Sequence, residues 1–343
     1  MRDVVRVSLL VAFLAVASPL QSVAQSKQSE CPLEAGLLPC GKNPTEVPEV
    51  VVAERTRTAI KLFDAGSNSE RHYDLVNCLD GITFGFANHP QAQLAEFFGA
   101  LRTNSAVDEA LVERFVEYFK ASPESWKAFA NKAKLDVSDP SLAAVRKGID
   151  ILLIAPKRGN VPVKPDGDGC TPTPEAGQSF FFDNKDWFTG AARRAFRDPK
   201  VVAFQVKYWE QKYLEPAERD AKAIGFTADP GIFLLAFIRS NPGQVPSVRD
   251  LLNAKGPLTS IKAGGTDWQW DGSDIPKTLK GKDVSIEEWR TLLLWQAMCR
   301  GTIDRMRNRN IEFFKVYLAK RFVLPKSKID SVENCNPAAV TLH

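Results

Sequence analysis

Histidine is scarce in this chain of 343 residues: only His72, His89 and His343 occur. That leaves few bases for a Ser-His-Asp triad and few imidazoles for a metal site. There is no Cys-x-x-Cys pair, no His-Glu-x-x-His and no Gly-x-Ser-x-Gly elbow. A Walker loop and a dinucleotide fingerprint are also missing. Neither a metal nor an organic cofactor is therefore expected. Strong charge of either sign is lacking too. Forty-five Lys and Arg stand against 41 Asp and Glu, a net charge of +4, which argues against a dedicated nucleic-acid binder. Beyond the first 25 residues no apolar run is long enough to cross a bilayer. Internal repeats are absent, and strand-like runs are few and short.

What is present starts with the N-terminus. Arg2 and Arg6 precede an apolar run, Ser8 to Leu20, and Ser22-Val23-Ala24 supplies small residues after it. The pattern predicts a signal peptide over residues 1–25, cleaved rather than retained as an anchor. The expectation is an exported protein, periplasmic or extracellular, acting as a monomer. The cysteines, Cys31, Cys40, Cys78, Cys170, Cys299 and Cys335, all follow that segment. An even number in an exported chain suggests disulfides, with the pairing left open.

Residues 26–54 are polar and proline-rich and read as an N-terminal arm. Apolar residues at helical spacing then predict helices over 91–101, 106–120, 140–154, 199–224, 230–239, 246–255 and 286–320. Leu94, Phe97, Phe98 and Leu101 share one face of the first; Leu111, Phe115, Val116 and Phe119 share one of the second. Residues 156–179 are rich in proline and glycine and mark the clearest break. The reading is a mainly α protein of the α+β kind. Two helical lobes, about 55–155 and 180–320, surround a cleft, and a small β element lies near 80–86. Residues 321–343 form a C-terminal tail.

With histidine scarce, carboxylates carry the remaining chemistry. Asp64 closes a helical segment and opens a Gly/Ser loop, Glu70 sits in that loop, and Asp80 precedes Gly81 and a β-like run. Two acids across a cleft suit glycoside hydrolysis, one protonating the leaving oxygen and the other activating water or attacking the sugar. The bland reading of each is a helix cap, a turn or a solvated loop. Trp268 and Trp270, in a Gly/Asp-rich loop, are candidate platforms for a sugar ring, whereas Trp209, Trp289 and Trp295 at helical spacing read as core. His89, before Pro90 at a helix start, reads as a local contact or cap, with substrate contact as the functional alternative. Arg193 and Arg194 read as ion-pair partners of carboxylates between helices.

Three segments together resemble a known family. The first runs Leu62-Phe63-Asp64-Ala65-Gly66, Tyr73-Asp74-Leu75-Val76 and Asp80-Gly81-Ile82-Thr83-Phe84-Gly85. The second runs Asp198-Pro199, Ala203-Phe204-Gln205, Tyr208-Trp209, Tyr213-Leu214-Glu215-Pro216-Ala217 and Ala223-Ile224-Gly225-Phe226. The third is Glu288-Trp289-Arg290 with the Arg-rich stretch 305–314. In this order they resemble the chitosanase-like branch of the lysozyme superfamily, glycoside hydrolase family 46 and its bacterial relatives. The resemblance implies a lysozyme-like fold over 55–320 and hydrolysis of a β-1,4-linked amino sugar polymer, chitosan or peptidoglycan. It makes Asp80 the base, Thr83 the residue that holds the water, and Asp64 the acid. Where the family has an acid glutamate this chain has Asp64, one methylene shorter, and Glu70 is the alternative acid. A non-catalytic glycan-binding or cell-envelope protein on the same scaffold is the rival expectation.

Overall fold

The computed structural model describes residues 34–39, 52–64, 73–78, 82–85, 89–156, 180–240, 258–263, 265–277, 279, 283–298, 313–323 and 341–342. The expected signal peptide, the loop after residue 156 and the helix over 246–255 lie outside them, as do most of the arm and tail. Side chains in the described helices follow the apolar period. Helix α1 covers Glu54–Asp64. After a 3-10 turn at Gln91–Gln93, α2 (Leu94–Arg102) buries Leu94, Phe97, Phe98 and Leu101, the stripe that the spacing predicts. In α3 (Ser105–Ala121) the Asn104 side chain caps the N-terminus by accepting from Val107 N. Next, α4 (Pro123–Ala133) opens on proline. Helix α5 (Leu142–Ile149) is capped by Ser141 and runs on into a π turn at Asp150–Ile154.

Beyond residues 157–179, α6 (Phe180–Ala195) precedes α7 (Pro199–Trp209). Asp198 caps α7, accepting from Lys200 N at 2.9 Å. A π turn at Glu210–Leu214 joins α7 to α8 (Glu215–Ile224), which stops at left-handed Gly225 with φ 85°. The helical pattern over 199–224 thus holds across its whole span. Helix α9 covers Asp229–Ser240. Helix α10 (Ile286–Met298) starts with a capping box: Glu288 N donates to Ser285 Oγ and Ser285 N to Glu288 Oε2. A π turn at Phe314–Leu318 follows the next gap.

Strands are short and antiparallel. β1 (Val76–Cys78), β2 (Ile82–Phe84) and β3 (His89–Pro90) form one sheet, with Val76 opposite Phe84 and Phe84 opposite His89. The expected β element is its central strand. A hairpin, β4 (Ser260–Ala263) with β5 (Thr266–Gln269), turns at Gly265 with φ 90°. Phe322–Val323 (β6) pairs with Thr341–Leu342 (β7). The chain is mainly helical with small antiparallel sheets, and no helix among the described residues is long and apolar enough to cross a membrane.

Buried side chains fall into two clusters. One gathers β1, β2, α2–α6 and part of α7. The other gathers α1, the rest of α7, α8–α10 and the β4–β5 hairpin. Sequence order does not separate them: α1 packs with the C-terminal helices and α6 with the N-terminal ones. The two arginines singled out are engaged. Arg194 pairs with Glu117 at 3.0 Å and with Glu34, and Arg193 donates to the Val76 carbonyl. Residues 34–39 are held by the same group. Leu38 N donates to Arg197 O at 2.9 Å, and Arg197 Nε returns a bond to Leu38 O at 2.8 Å.

Packing is tight where α5 crosses α4. A Cβ on Gly148 would lie 2.3 Å from Phe129 Cζ and 3.2 Å from Leu135 Cδ1. Phe129 has no room to yield, with the rings of Phe119 and Trp187 centred 4.8 and 4.9 Å away. Helix propensity alone favours Gly148→Ala by up to ~1 kcal/mol. Overpacking outweighs it, and the variant is expected to be destabilised by about 1–3 kcal/mol in urea unfolding.

Candidate functional site

Asp64 is the last residue of α1; its side chain, Glu70 and Asp80 lie outside the described residues. So do the side chain of Cys78 and the other five cysteines. The structure describes the platform that follows Asp80. Alternation along β2 sends Ile82 and Phe84 into the core and Thr83 to the opposite face. Thr83 is nevertheless 4% exposed, and its hydroxyl has no hydrogen-bond partner. Buried hydroxyls are nearly always paired, so this one is an exception among the described residues.

The core face of the sheet carries a second polar group. His89 lies opposite Phe84, with ring centroids 5.5 Å apart. Its ring meets Tyr208 edge-on at 5.5 Å and stacks on Tyr213 at 6.5 Å. Nδ1 lies 2.9 Å from Gln93 Oε1, to which Tyr213 also donates at 3.5 Å. Burial pushes the His89 pKa down to about 4, helped by Lys212, while Gln93 and Glu96 pull the other way. At the surface Lys212 Nζ donates to Glu96 at 2.7 Å and to Tyr208 Oη at 3.1 Å. Burial raises the Glu96 carboxyl, but Lys212 and the Tyr208 hydroxyl outweigh it and hold it below the usual range. Burial and the Glu96 charge both raise Tyr208. Tyr213 is pushed up to about 12, chiefly by burial.

Gln205, fully buried on α7, ties this group to the sheet. Its Nε2 donates to Tyr73 O at 3.2 Å, and Gly85 N donates to Leu75 O at 2.8 Å. Gly85 adopts φ 68°, a conformation that favours glycine. Two stretches more than a hundred residues apart, 73–78 with 82–85 and 198–214, therefore meet side by side. No role was read for Gln205, Tyr208 or Lys212 from the sequence. Their spacing of i, i+3 and i+7 down an apolar helix was the available signal.

His89 is a buried group, 1% exposed, and offers no surface contact to a polymer. Trp268 and Trp270 are also buried, at 8% and 3%. Their N–H groups bond to Ala263 O at 3.1 Å and Ile224 O at 2.7 Å. Trp268 packs edge-on against Trp289, and Trp270 against Phe226 with Arg290 over its ring. These indoles face the interior, because the segment read as a loop is a hairpin whose inward positions they occupy. Trp209, Trp289 and Trp295 are in the core, as are the phenylalanines of α2 and α3.

No protein-family model matches this chain, and neither a curated protein nor a solved structure matches it.

The His89 environment has a measurable consequence. Its pKa is about 4 when folded against 6.5 when free, so the folded state binds fewer protons between those values. That contribution is full above pH 6.5 and lost as the pH falls to 4. It amounts to roughly 3 kcal/mol at 1.36 kcal/mol per unit. The stability difference between the wild type and His89→Leu should therefore shrink by about that amount between pH 7 and pH 4 in urea unfolding. A difference constant across that window would contradict the buried neutral ring.

Proposed function

We propose that the chain is an exported glycoside hydrolase of lysozyme-like fold that cleaves a β-1,4-linked amino sugar polymer, chitosan or peptidoglycan. The observation that carries this reading is the buried, unpartnered hydroxyl of Thr83 on the strand that follows Asp80. A hydroxyl in that position suits the holding of an attacking water. The side-by-side packing of 73–78 and 82–85 with the helix from Asp198 supports it further, since these lie in two of the segments that carry the family resemblance. Asp80 takes the proton of the attacking water as it adds to the anomeric carbon. Asp64, or else Glu70, protonates the departing glycosidic oxygen. The stereochemical outcome is inversion; inverting glycosidases hold their two carboxyls about 6.5–9.5 Å apart.

The test is release of new reducing ends from chitosan and from peptidoglycan. Asp80→Asn should lower the rate by about 10²–10⁴-fold, the range of a lost general base. Thr83→Val should lower kcat more than KM. Absence of release from both polymers would reject the hydrolase. If one of them is still retained on pull-down, the rival reading as a glycan-binding protein stands, with Asp64 in place of glutamate as its mark.

A further inference from the structure

A cavity of about 130 Å³ opens where the starts of α9 and α10 meet the π turn at 314–318 and β6. That is the volume of about four waters, enough for one small ring and too little for a chain of them. Its apolar wall includes Pro230, Leu318 and Phe322, and its polar wall includes Glu287, Glu288, Tyr317 and Arg321. Leu318 and Phe322 belong to the core that does not include β2, so the cavity is separate from the strand that carries Thr83.

The polar wall has hydrogen-bonding capacity left over. A carboxylate accepts about four bonds. Glu287 accepts three, from Thr227 N at 2.6 Å, from Ala228 N and from Thr227 Oγ1 at 2.9 Å. Glu288 accepts two, from Ser285 N at 2.9 Å and from Arg321 Nε at 3.0 Å. About three acceptor positions remain. Donors remain as well. Arg321 gives Nε to Glu288 and Nη2 to the Asp283 carbonyl, and its Nη1 has no hydrogen-bond partner among the described residues. The Tyr317 hydroxyl has none there either. Burial and the Asp229 charge push its pKa up to about 12, so it stays a donor. The Tyr317 ring packs against Phe313 and Phe233, with centroids 5.1 and 6.1 Å away. These side chains are therefore held in place by their neighbours before any ligand arrives, which lowers the cost of binding one.

The chemistry of the wall selects the occupant. An anion would face two carboxylates. An apolar molecule would cover free donors and acceptors without pairing them. A metal ion would want more ligands, and among the described residues no group of three His, Cys, Asp or Glu could hold one. A hydroxyl both donates and accepts, so a ring bearing several hydroxyls can use both kinds of free position at once.

We propose that this cavity binds one sugar residue, its hydroxyls paired with Glu287, Glu288, Arg321 and Tyr317 and its C–H face against Pro230 and Leu318. The site takes no part in bond cleavage; it is a second hold on a glycan. The choice of a sugar among polyhydroxylated rings rests on the function proposed above, whereas the binding itself needs no hydrolysis.

The experiment is NMR titration of the full methyl-labelled chain with D-glucosamine and with N-acetyl-D-glucosamine. At least one of them should shift the Thr291 and Leu318 methyl signals saturably, with a Kd in the millimolar range. Tyr317→Phe, which keeps the ring, and Arg321→Met should each weaken binding by about 3–10-fold. Cyclohexanol, a six-membered ring with a single hydroxyl, should not compete. No saturable shift with either sugar, unchanged affinity in both variants, or equally tight binding of cyclohexanol would each overturn the proposal. Binding here with no reducing ends released from chitosan or peptidoglycan would keep this site and reject the hydrolase; release without binding would do the reverse.

Discussion

Helix α7 is buried along two stripes at once, and the rest of the structure is arranged around that constraint. Val201 and Tyr208 belong to one core, while Val202, Val206 and Trp209 belong to the other. Only Lys200, Ala203 and Lys207 are exposed along it, with Pro199 and Phe204 partly so. A helix with so little free surface must be correctly placed from its first turn. Asp198 and Pro199 do this together, the carboxylate capping α7 and also pairing with Arg114 of α3 at 3.0 Å. A polar side chain inside the two stripes is costly to bury unless it is hydrogen-bonded. Gln205 is such a side chain, and its position brings α7 to the small sheet.

The helices were legible because their apolar spacing survives in the packing. Leu94, Phe97, Phe98 and Leu101 form a stripe in the sequence and a buried face in the fold. The pattern over 199–224 holds even though a π turn interrupts it at 210–214. Helix α4 was not read, although Trp126, Phe129, Ala130 and Ala133 repeat at helical spacing and are buried; its short length behind a proline hid it. The β4–β5 hairpin was hidden by its glycines and aspartates. Period-two burial was nonetheless present, with Ile261 and Ala263 facing inward beside Trp268 and Trp270.

The polar site was less legible, for a physical reason. Its bonds join residues far apart in the chain: Lys212 with Glu96 across 116 positions, and Gln205 with Tyr73 across 132. No local pattern encodes such a pairing. Thr83 could be singled out because it sits within a local run. Its burial could not, because that depends on which elements pack over β2. The tryptophans carry the converse lesson. An aromatic amid glycine and aspartate suggests an open platform, yet once the chain pairs into a hairpin the same residues become the inward positions of a strand.

The bonds between Leu38 and Arg197 also constrain the order of events during folding. They span 159 positions, and closing so long a loop gives no return until the distant partner is in place. During synthesis residues 34–39 therefore cannot settle before the turn between α6 and α7 has been made. Until then residues 34–39 stay accessible to whatever handles the chain as it emerges, while α2 to α5 already have one another to pack against.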